Sequence, residues 1–292
     1  MVRVFASPAH YVQGKNILTS QVAVDYIQKL GDKALLLADD VVWEIVGETL
    51  TDSLTAAGMT IIREPFQGEA STAEIDRVTK IGQNNDVNLV LALGGGKAID
   101  AGKAIADDLQ SPVAILPTVA STDAPTSALS VIYSEEGAFE KYRFYKKNPD
   151  LVLLDSQIIA QAPARFFASG IADALATAVE MRPTMTGNHD TMAGGKTTLA
   201  AQAIGDKSKE VLFADGIKAF KAVEKQAVTP AVENVIEANT LLSGLGFESG
   251  GLAAAHAIHN GFTALEGDIH HLTHGEKVAY GTLTQLFMEN RP

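Results

Sequence analysis

Short apolar runs alternate with amphipathic stretches over the first half of the chain, and this alternation is the feature that most restricts its fold. Five runs of strand-like length are bounded by turn residues, at 33–38, 59–62, 88–93, 112–116 and 151–154. Helical patterns lie between them, as at 72–84 and 97–107. Continuously apolar strands that alternate with helices predict a parallel sheet covered on both faces. An acidic, glycine-containing turn at 133–139 predicts an antiparallel excursion from this arrangement.

The strand pattern stops after residue 163. The rest of the chain is rich in alanine and helical in period, as at 171–181, 215–225 and 231–243, with a loop at 183–195. We therefore predict an α/β fold in which an N-terminal Rossmann-like parallel-sheet domain, residues 1–162, is followed by an all-helical domain, residues 163–292. We expect the active site in the cleft between the two domains.

Composition excludes several classes of function. Hydrophobic residues at 46% with 20% charged residues are typical of a soluble globular protein, and no apolar run is long enough to cross a bilayer, so no membrane association is expected. The chain has no cysteine, which excludes disulfides and thiolate chemistry and favours a cytoplasmic setting. A net charge of −12 argues against nucleic acid as a partner. The one basic cluster, 141–147, is better interpreted as a solvated hairpin strand.

Three glycines follow the apolar run 88–93, in the sequence Gly94-Gly-Gly-Lys97, and a helical pattern follows them. Glycines after a strand let the backbone approach a ligand closely, and the next helix presents free N–H donors to a phosphate. The spacing is neither a dinucleotide fingerprint nor a P-loop, so a simple tight turn explains this segment equally well.

Two neighbouring segments favour ligand binding at this edge of the sheet. The loop 117–127 follows the next strand and is dense in hydroxyl groups, with Asp123 as its single carboxylate. Carboxyl ends of parallel strands meet at one edge, where open α/β folds bind ligands. Asp39 closes the run 33–38 and suits either an adenosine ribose or the N-cap of a helix.

Histidines are crowded near the end of the chain: five of the seven fall between residues 256 and 274. Neutral imidazole is a common ligand of transition metals, and without cysteine the remaining ligand would be a carboxylate. Asp173 is a candidate because it lies in an apolar helical stretch, where a buried carboxylate needs a compensating charge. Capping of the helix N-terminus is an equally good interpretation of Asp173 from the residues alone.

Five ordered motifs, at 94–100, 117–123, 170–175, 247–259 and 274–281, resemble the glycerol dehydrogenases, a zinc-dependent branch of the iron-containing alcohol dehydrogenase superfamily. Dehydroquinate synthase belongs to the same superfamily, and the resemblance covers the chain end to end. It implies a metal held by Asp173, His256 and His274. The iron enzymes have a further histidine where this chain has Thr177, and three ligands including a carboxylate favour zinc over ferrous iron.

The resemblance also implies the residues around NAD and the substrate. The pyrophosphate of NAD is expected at Gly95, Gly96 and Lys97, and its adenosine ribose at Asp39. Family positions around the rest of the dinucleotide are Asp100, Thr118, Ser121, Ser127, Leu129 and Tyr133. The expected catalytic and substrate-binding residues are Asp123, which would accept a hydrogen bond from a substrate hydroxyl, together with Asp173, His256, His274 and an apolar wall at Phe247.

The remaining histidines are not at ligand positions. His259 follows His256 by three residues and so could line the same helix face, but a position in the core or behind a metal ligand is favoured. One of His270 and His271, in a polar loop, is a candidate for contact with substrate or for proton relay.

The activity implied is NAD-dependent oxidation of glycerol to dihydroxyacetone, by a homo-oligomer acting on a small polyol. The alternatives are a dehydrogenase for another small vicinal diol, a dehydroquinate synthase-like lyase that uses NAD and zinc, and a binding protein without activity. The lyase would need several basic residues for its anionic substrate, and the motifs contain few. In the family, further helices follow the one expected at 278–288, so the chain is expected to be C-terminally truncated, with an apolar face of its helical domain uncovered.

Overall fold

A computed structural model describes residues 2–291, and the chain divides into two compact units. The sheet unit comprises Pro8–Val119 and Leu129–Ile159. The helical unit comprises Ala120–Ala128 together with the described residues before position 8 and from position 160 onward. In the described part of the chain, no helix has the length and hydrophobicity that crossing a membrane requires.

Six parallel strands form the main sheet, in the spatial order β1 (Tyr11–Gly14), β8 (Leu151–Asp155), β5 (Val113–Pro117), β4 (Leu89–Gly94), β2 (Lys33–Ala38) and β3 (Thr60–Pro65). The predicted parallel sheet is confirmed. Every residue of β4, β5 and β8 is buried, because helices cover both faces, and this explains their continuously apolar sequences. The edge strand β1 was not predicted, since its four half-buried residues include Gln13 and form no apolar run.

The predicted antiparallel excursion is a separate hairpin of β6 (Leu129–Tyr133) and β7 (Phe139–Phe144). Much of the basic cluster lies in β7, where Lys141 is exposed. The guanidinium of Arg143 donates to Asp107 and Asp108 at 2.8 Å and 2.6 Å. The charge of Arg143 is therefore neutralised within the protein, as expected for a solvated strand.

Helices connect the strands of the sheet unit. They are α1 (Gln21–Ile27), α2 (Asp40–Val42), which continues through a π-helical turn (Trp43–Gly47) into α3 (Glu48–Ala56), α4 (Thr72–Asn84) and α5 (Gly96–Leu109), and α6 (Ser156–Gln161) follows β8. Asp39 is the N-cap of α2, and its carboxylate accepts from the backbone N–H of Val42 at 2.8 Å. Asp39 is therefore a helix N-cap, one of the two roles considered for it, and the cap uses only one of its carboxylate oxygens.

The strand order reverses beside β2, since β3 lies on one side of this strand and β4 on the other. Ligands of open parallel sheets bind outside the carboxyl ends of the strands at such a switch point. Asp39 directly follows β2, and Gly95 directly follows β4 as the N-cap of α5. No side chain caps α5, so its first N–H groups remain available to an anion.

The helical unit contains α7 (Ala164–Thr186), α8 (Leu199–Val223), α9 (Pro230–Glu237), a π-helical turn (Ala238–Leu242), α10 (Ser243–Gly250), α11 (Ala254–Phe262), a 3₁₀ turn (Asp268–His271) and α12 (His274–Met288). The predicted all-helical character of this part is confirmed. The loop predicted from residue 183 begins later, because α7 continues through Pro183 to Thr186.

The close packing of α5 on β4 yields a stability prediction. A Cβ at Gly102 would lie 2.4 Å from the Cβ of Ala92, so Gly102→Ala forces helix and strand apart and should lower the free energy of unfolding by about 1–3 kcal/mol. A Cβ at Gly216 in α8 meets only Ile171 Cδ1, at 3.9 Å, so Gly216→Ala should instead stabilise by about 0.5–1 kcal/mol. Urea-induced unfolding of both variants measures the difference, and equal effects would contradict this account of Gly102.

Candidate metal centre

A buried polar face runs along α7. Polar side chains recur every three or four residues, so they lie on one side of the helix. They are Ser169, Asp173, Thr177, Glu180 and Thr184, and all five residues are at most 4% exposed. Burying such groups is unfavourable unless each finds a partner, so the elements packed on this face are held there by hydrogen bonds as well as by apolar contact.

Asp173 lies at the centre of this face and is fully buried. Its Oδ1 is 3.2 Å from Nε2 of His256 and 3.1 Å from Nε2 of His274. Ligand atoms from the three side chains all lie within 4.8 Å of one another. One carboxylate oxygen and two imidazole nitrogens are the donor set of open catalytic zinc sites, so the chemistry of these residues fits a divalent transition metal.

Glu180 fixes the position of His256. One of its oxygens, Oε1, accepts from the backbone N–H groups of Ala253 and His256, at 2.8 Å and 2.9 Å, at the beginning of α11. The other oxygen, Oε2, lies 2.5 Å from Nδ1 of His256. The sequence analysis missed Glu180, although it follows Asp173 by seven residues, which places both carboxylates on the same face of α7.

His274 is the first residue of α12, and the start of this helix is held in two ways. Thr273 and Glu276 form a capping box, each side chain accepting from the other's backbone N–H. The guanidinium of Arg165, in the first turn of α7, donates to both oxygens of Glu276 at 2.7 Å and 2.6 Å. The imidazole of His274 is 26% exposed, compared with 9% for His256, so it is the more accessible of the two.

The loop that carries Asp123 belongs to the helical unit and packs closely on α7 and α10. A Cβ at Gly170 would lie 1.9 Å from the carbonyl oxygen of Ala120, and one at Gly244 would lie 1.9 Å from Oγ1 of Thr126. Only glycine permits this approach at the two positions. The backbone N–H of Asp123 donates to Oδ2 of Asp173 at 3.1 Å, which ties the loop directly to the predicted metal ligand.

Two hydroxyl groups orient the carboxylate of Asp123. Thr177 Oγ1 donates to Oδ2 of Asp123 at 3.2 Å, and Ser243 Oγ donates to the same oxygen at 2.8 Å. The two hydroxyl oxygens are 3.0 Å apart, so the three side chains form one buried network. Ser243 was not among the predicted site residues, because no local pattern relates it to Asp123.

Three carboxyl groups and two imidazoles lie close together in the buried site, and burial and these neighbours shift the pKa values of Asp123, Asp173 and His256. Burial and the neighbouring Asp173 raise the pKa of Asp123 to about 7. Burial acts on Asp173 in the same direction, but His274 and His256 hold the pKa of this carboxyl well below its usual range. Burial lowers the pKa of His256, and Glu180 and Asp173 reverse this and raise it well above the ordinary value. Negative charge thus dominates around His256 and Asp173.

The other histidines of the crowded segment have different environments. His259 is 2% exposed, and its ring centroid is 4.2 Å from that of His274. Burial and His274 lower the pKa of His259 to about 2, so its ring is neutral, as expected of a core histidine behind a ligand. His270 and His271 are exposed in the 3₁₀ turn and are not part of the cluster of potential metal ligands found among the described residues.

Most of the residues predicted to contact NAD lie in the sheet unit. Asp100 is buried, with Oδ2 accepting from the N–H of Val131 at 3.1 Å and Oδ1 2.9 Å from Nζ of Lys103, so it ties α5 to the hairpin. Lys97 pairs with Glu69. Thr118 follows β5, and Leu129 and Tyr133 begin and end β6. Ser121 and Ser127 lie in the helical unit instead. Phe247, predicted beside the substrate, is buried in the helical unit as well.

Comparisons with known proteins agree with the fold and with the family that the motifs resemble. The sequence profile of the iron-containing alcohol dehydrogenases matches residues 8–156. A glycerol dehydrogenase of Escherichia coli O6:H1 is 49% identical over 292 residues, which is all of this chain and 79% of the relative. A glycolaldehyde reductase of Halobacterium salinarum is 48% identical over 289 residues, covering 99% of this chain and 78% of the relative.

A solved structure extends the similarity to three dimensions. The glycerol dehydrogenase of Schizosaccharomyces pombe superposes with a TM-score of 0.95 at 46% identity. The superposition covers 100% of this chain and 73% of that protein. This chain therefore shares its fold with a glycerol dehydrogenase that is identical to it at nearly half of the aligned residues.

The network around Asp123 leads to a prediction about Thr177. Thr177→Val keeps the shape of the side chain but removes a hydroxyl donor to a buried carboxylate, and should lower the free energy of unfolding by about 1.5–3 kcal/mol. Thr177→Ser retains the hydroxyl and serves as the matched control, with a smaller loss from its missing methyl group. Urea-induced unfolding of the metal-free proteins measures both, and a valine variant as stable as the serine variant would contradict the role of this hydrogen bond.

Proposed function

Because the chain belongs to the iron-containing alcohol dehydrogenase family, we propose that it oxidises glycerol to dihydroxyacetone with NAD as the hydride acceptor. The single observation that carries this proposal is the convergence of Asp173, His256 and His274 beside Asp123, in a chain 49% identical over its full length to a glycerol dehydrogenase. The resemblance inferred from the ordered motifs is thereby confirmed.

Asp173, His256 and His274 would hold the metal, which we propose to be zinc. The support is the chemistry of the donors: one carboxylate and two imidazoles, with Thr177 bound to Asp123 rather than offering a fourth ligand. When bound, zinc supplies a Lewis acid that lowers the pKa of an alcohol hydroxyl. The chain's own contribution is to hold three ligands on three different helices and to leave the more accessible side, at His274, open.

Asp123 would select substrates with adjacent hydroxyl groups. Both of its hydroxyl donors, Thr177 and Ser243, reach Oδ2, so Oδ1 is the oxygen that can accept from a second hydroxyl of the substrate. Simple alcohols lack the group that would satisfy this buried carboxylate and should be poorer substrates. Phe247, buried on α10, is proposed as an apolar wall beside the site.

NAD would bind at the carboxyl ends of the strands, with Gly95, Gly96 and Lys97 at the pyrophosphate and Asp39 at the adenosine ribose. The uncapped N-terminus of α5 and the position of Asp39 at the switch point support this assignment. Bound there, NAD would supply the acceptor for the hydride of the secondary carbinol, and the hydroxyl proton would leave separately, which balances the oxidation of glycerol to the ketone. Asp100, through its bonds to Val131 and Lys103, would hold the hairpin in place.

We also propose a division of roles between two domains, a cytoplasmic location and assembly into a homo-oligomer. We assign NAD binding to residues 1–162 and metal binding to residues 163–292. The lack of cysteine supports a cytoplasmic location, and the resemblance to the family supports a homo-oligomer.

The name of one relative suggests glycolaldehyde as a second candidate substrate. The protein named glycolaldehyde reductase is 48% identical to this chain, almost as similar as the glycerol dehydrogenase. Glycolaldehyde also carries two oxygens on adjacent carbons, so the arrangement of Asp123 and the metal ligands suits it equally. Measuring kcat/KM for glycerol and other vicinal diols with NAD, and for glycolaldehyde with NADH, each followed at 340 nm, identifies the preferred substrate.

Metal dependence is the first test of this function. Asp173→Asn, His256→Ala and His274→Ala should each lose bound zinc and lower kcat/KM by at least about 100-fold, because each removes one of three ligands. NAD binding, followed by titration calorimetry, should persist because the proposed NAD residues lie mostly in the sheet unit. His189→Ala, at an exposed position after α7, is the matched control and should keep both metal and activity. A His256→Ala or His274→Ala variant that retains most of its zinc would refute the assigned ligands.

Cofactor choice is the second test. Asp39→Ser keeps an N-cap but removes the carboxylate, so the preference for NAD over NADP, as a ratio of kcat/KM values, should narrow by about 10-fold or more. Asp39→Ala removes the cap as well and should also lower the free energy of unfolding by about 1 kcal/mol. If Asp39→Ser leaves the cofactor ratio unchanged, Asp39 acts only as a cap.

A further inference from the structure

We propose that Glu180 is a positioning residue for the metal site, which it serves by fixing the orientation and the tautomer of His256. The inference deepens the proposed function and rests on it, since it assumes that Nε2 of His256 binds the metal. No resemblance of motifs pointed to Glu180. Its role follows from the contacts of a carboxylate that is 0% exposed in the middle of the helical unit.

The two oxygens of Glu180 have separate partners. Oε1 accepts from the backbone N–H groups of Ala253 and His256, at 2.8 Å and 2.9 Å. These are donors at the start of α11, where the N-cap residue Ala253 offers no side-chain cap. Oε2 lies 2.5 Å from Nδ1 of His256. One carboxylate therefore holds both the main chain and the imidazole of the same residue.

The contact at Nδ1 decides which ring nitrogen can bind a metal. A neutral imidazole carries one proton, and an ionised carboxylate only accepts hydrogen bonds. With a metal bound, Nδ1 would therefore keep its proton and donate to Glu180, and Nε2, which lies 3.2 Å from Oδ1 of Asp173, would be the nitrogen free of a proton and available to the metal. In the opposite tautomer, a proton on Nε2 would occupy the side on which the metal binds. A carboxylate behind a metal-binding histidine raises its basicity as well as fixing its ring.

Capping the start of α11 would require only Oε1 of Glu180. A Glu180→Gln substitution therefore separates capping of the helix from the contact with Nδ1 of His256. Glutamine has one acceptor oxygen and one NH₂ group. If its oxygen keeps the two backbone N–H groups, its NH₂ faces Nδ1, which must then accept, so the proton moves to Nε2. If the amide is reversed, the backbone donors of α11 lose their acceptor. The first arrangement weakens metal binding with little change in the helix.

The experiment measures affinity for zinc and for cobalt by competition with a chelator, and the visible spectrum of the cobalt form. The proteins are the chain without substitutions and its variants Glu180→Gln, Glu180→Asp, His256→Ala and Asp155→Asn. Asp155 is the matched control, because it is a buried carboxylate of the sheet unit that accepts from the backbone N–H groups of Asn16, Leu18 and Gln157. Its substitution removes a buried charge away from the metal ligands.

Glu180→Gln should bind zinc about 10–100-fold more weakly and alter the cobalt spectrum, whereas Asp155→Asn should change stability but not metal affinity. Glu180→Asp keeps a carboxylate and should recover part of the affinity. Wild-type affinity in a folded Glu180→Gln protein overturns the proposal. Should Glu180→Gln not fold, ¹⁵N NMR of the zinc-loaded wild type decides, since a His256 Nδ1 without a proton overturns it equally. If His256→Ala itself keeps full affinity, the proposed metal site fails rather than the role of Glu180.

Discussion

The helical unit is organised around the buried polar face of α7, because every group on that face must be satisfied by another element. Ser169 accepts from the N–H of Gly275 and donates to the carbonyl of Ser121. An unpaired buried polar group costs about 1–3 kcal/mol, and an unpaired charge costs more. Asp173, Thr177 and Glu180 therefore dictate where the loop 120–128 and the helices α10, α11 and α12 can pack. The same hydrogen bonds that make this packing favourable bring the proposed metal ligands together.

The buried carboxylates of the helical unit are not balanced by lysine or arginine side chains among the partners that the structure describes. Asp123, Asp173 and Glu180 are buried within a short distance of one another. The partners that the structure describes for them are hydroxyl groups, backbone N–H groups and imidazoles, rather than lysine or arginine. A divalent cation held by Asp173, His256 and His274 would offset this negative charge. Binding of the cation would then contribute to the stability of the helical unit as well as to its chemistry.

What the sequence predicts depends on whether the signal is local. Buried strands and amphipathic helices are periodic, so the parallel sheet and the helical second half were recognised, while the short polar edge strand β1 was not. Crowded histidines and ordered motifs indicated Asp173, His256 and His274, which the structure brings together. Glu180 was within reach, since helical spacing from Asp173 places it on the same face. Ser243 was not, because only the tertiary fold brings it to Asp123, 120 residues away in the chain.

In the proposed site, the helix position of Thr177 would affect both metal binding and substrate recognition. In the iron enzymes of the same superfamily, the family resemblance implies a metal-binding histidine at this position. Here the position is fully buried, and the threonine hydroxyl donates to Asp123 instead. A histidine in its place would add a ligand but remove one of the two hydroxyls that orient the proposed substrate-binding carboxylate. In the proposed site, the number of metal ligands and the recognition of a second substrate hydroxyl would therefore be coupled through Thr177.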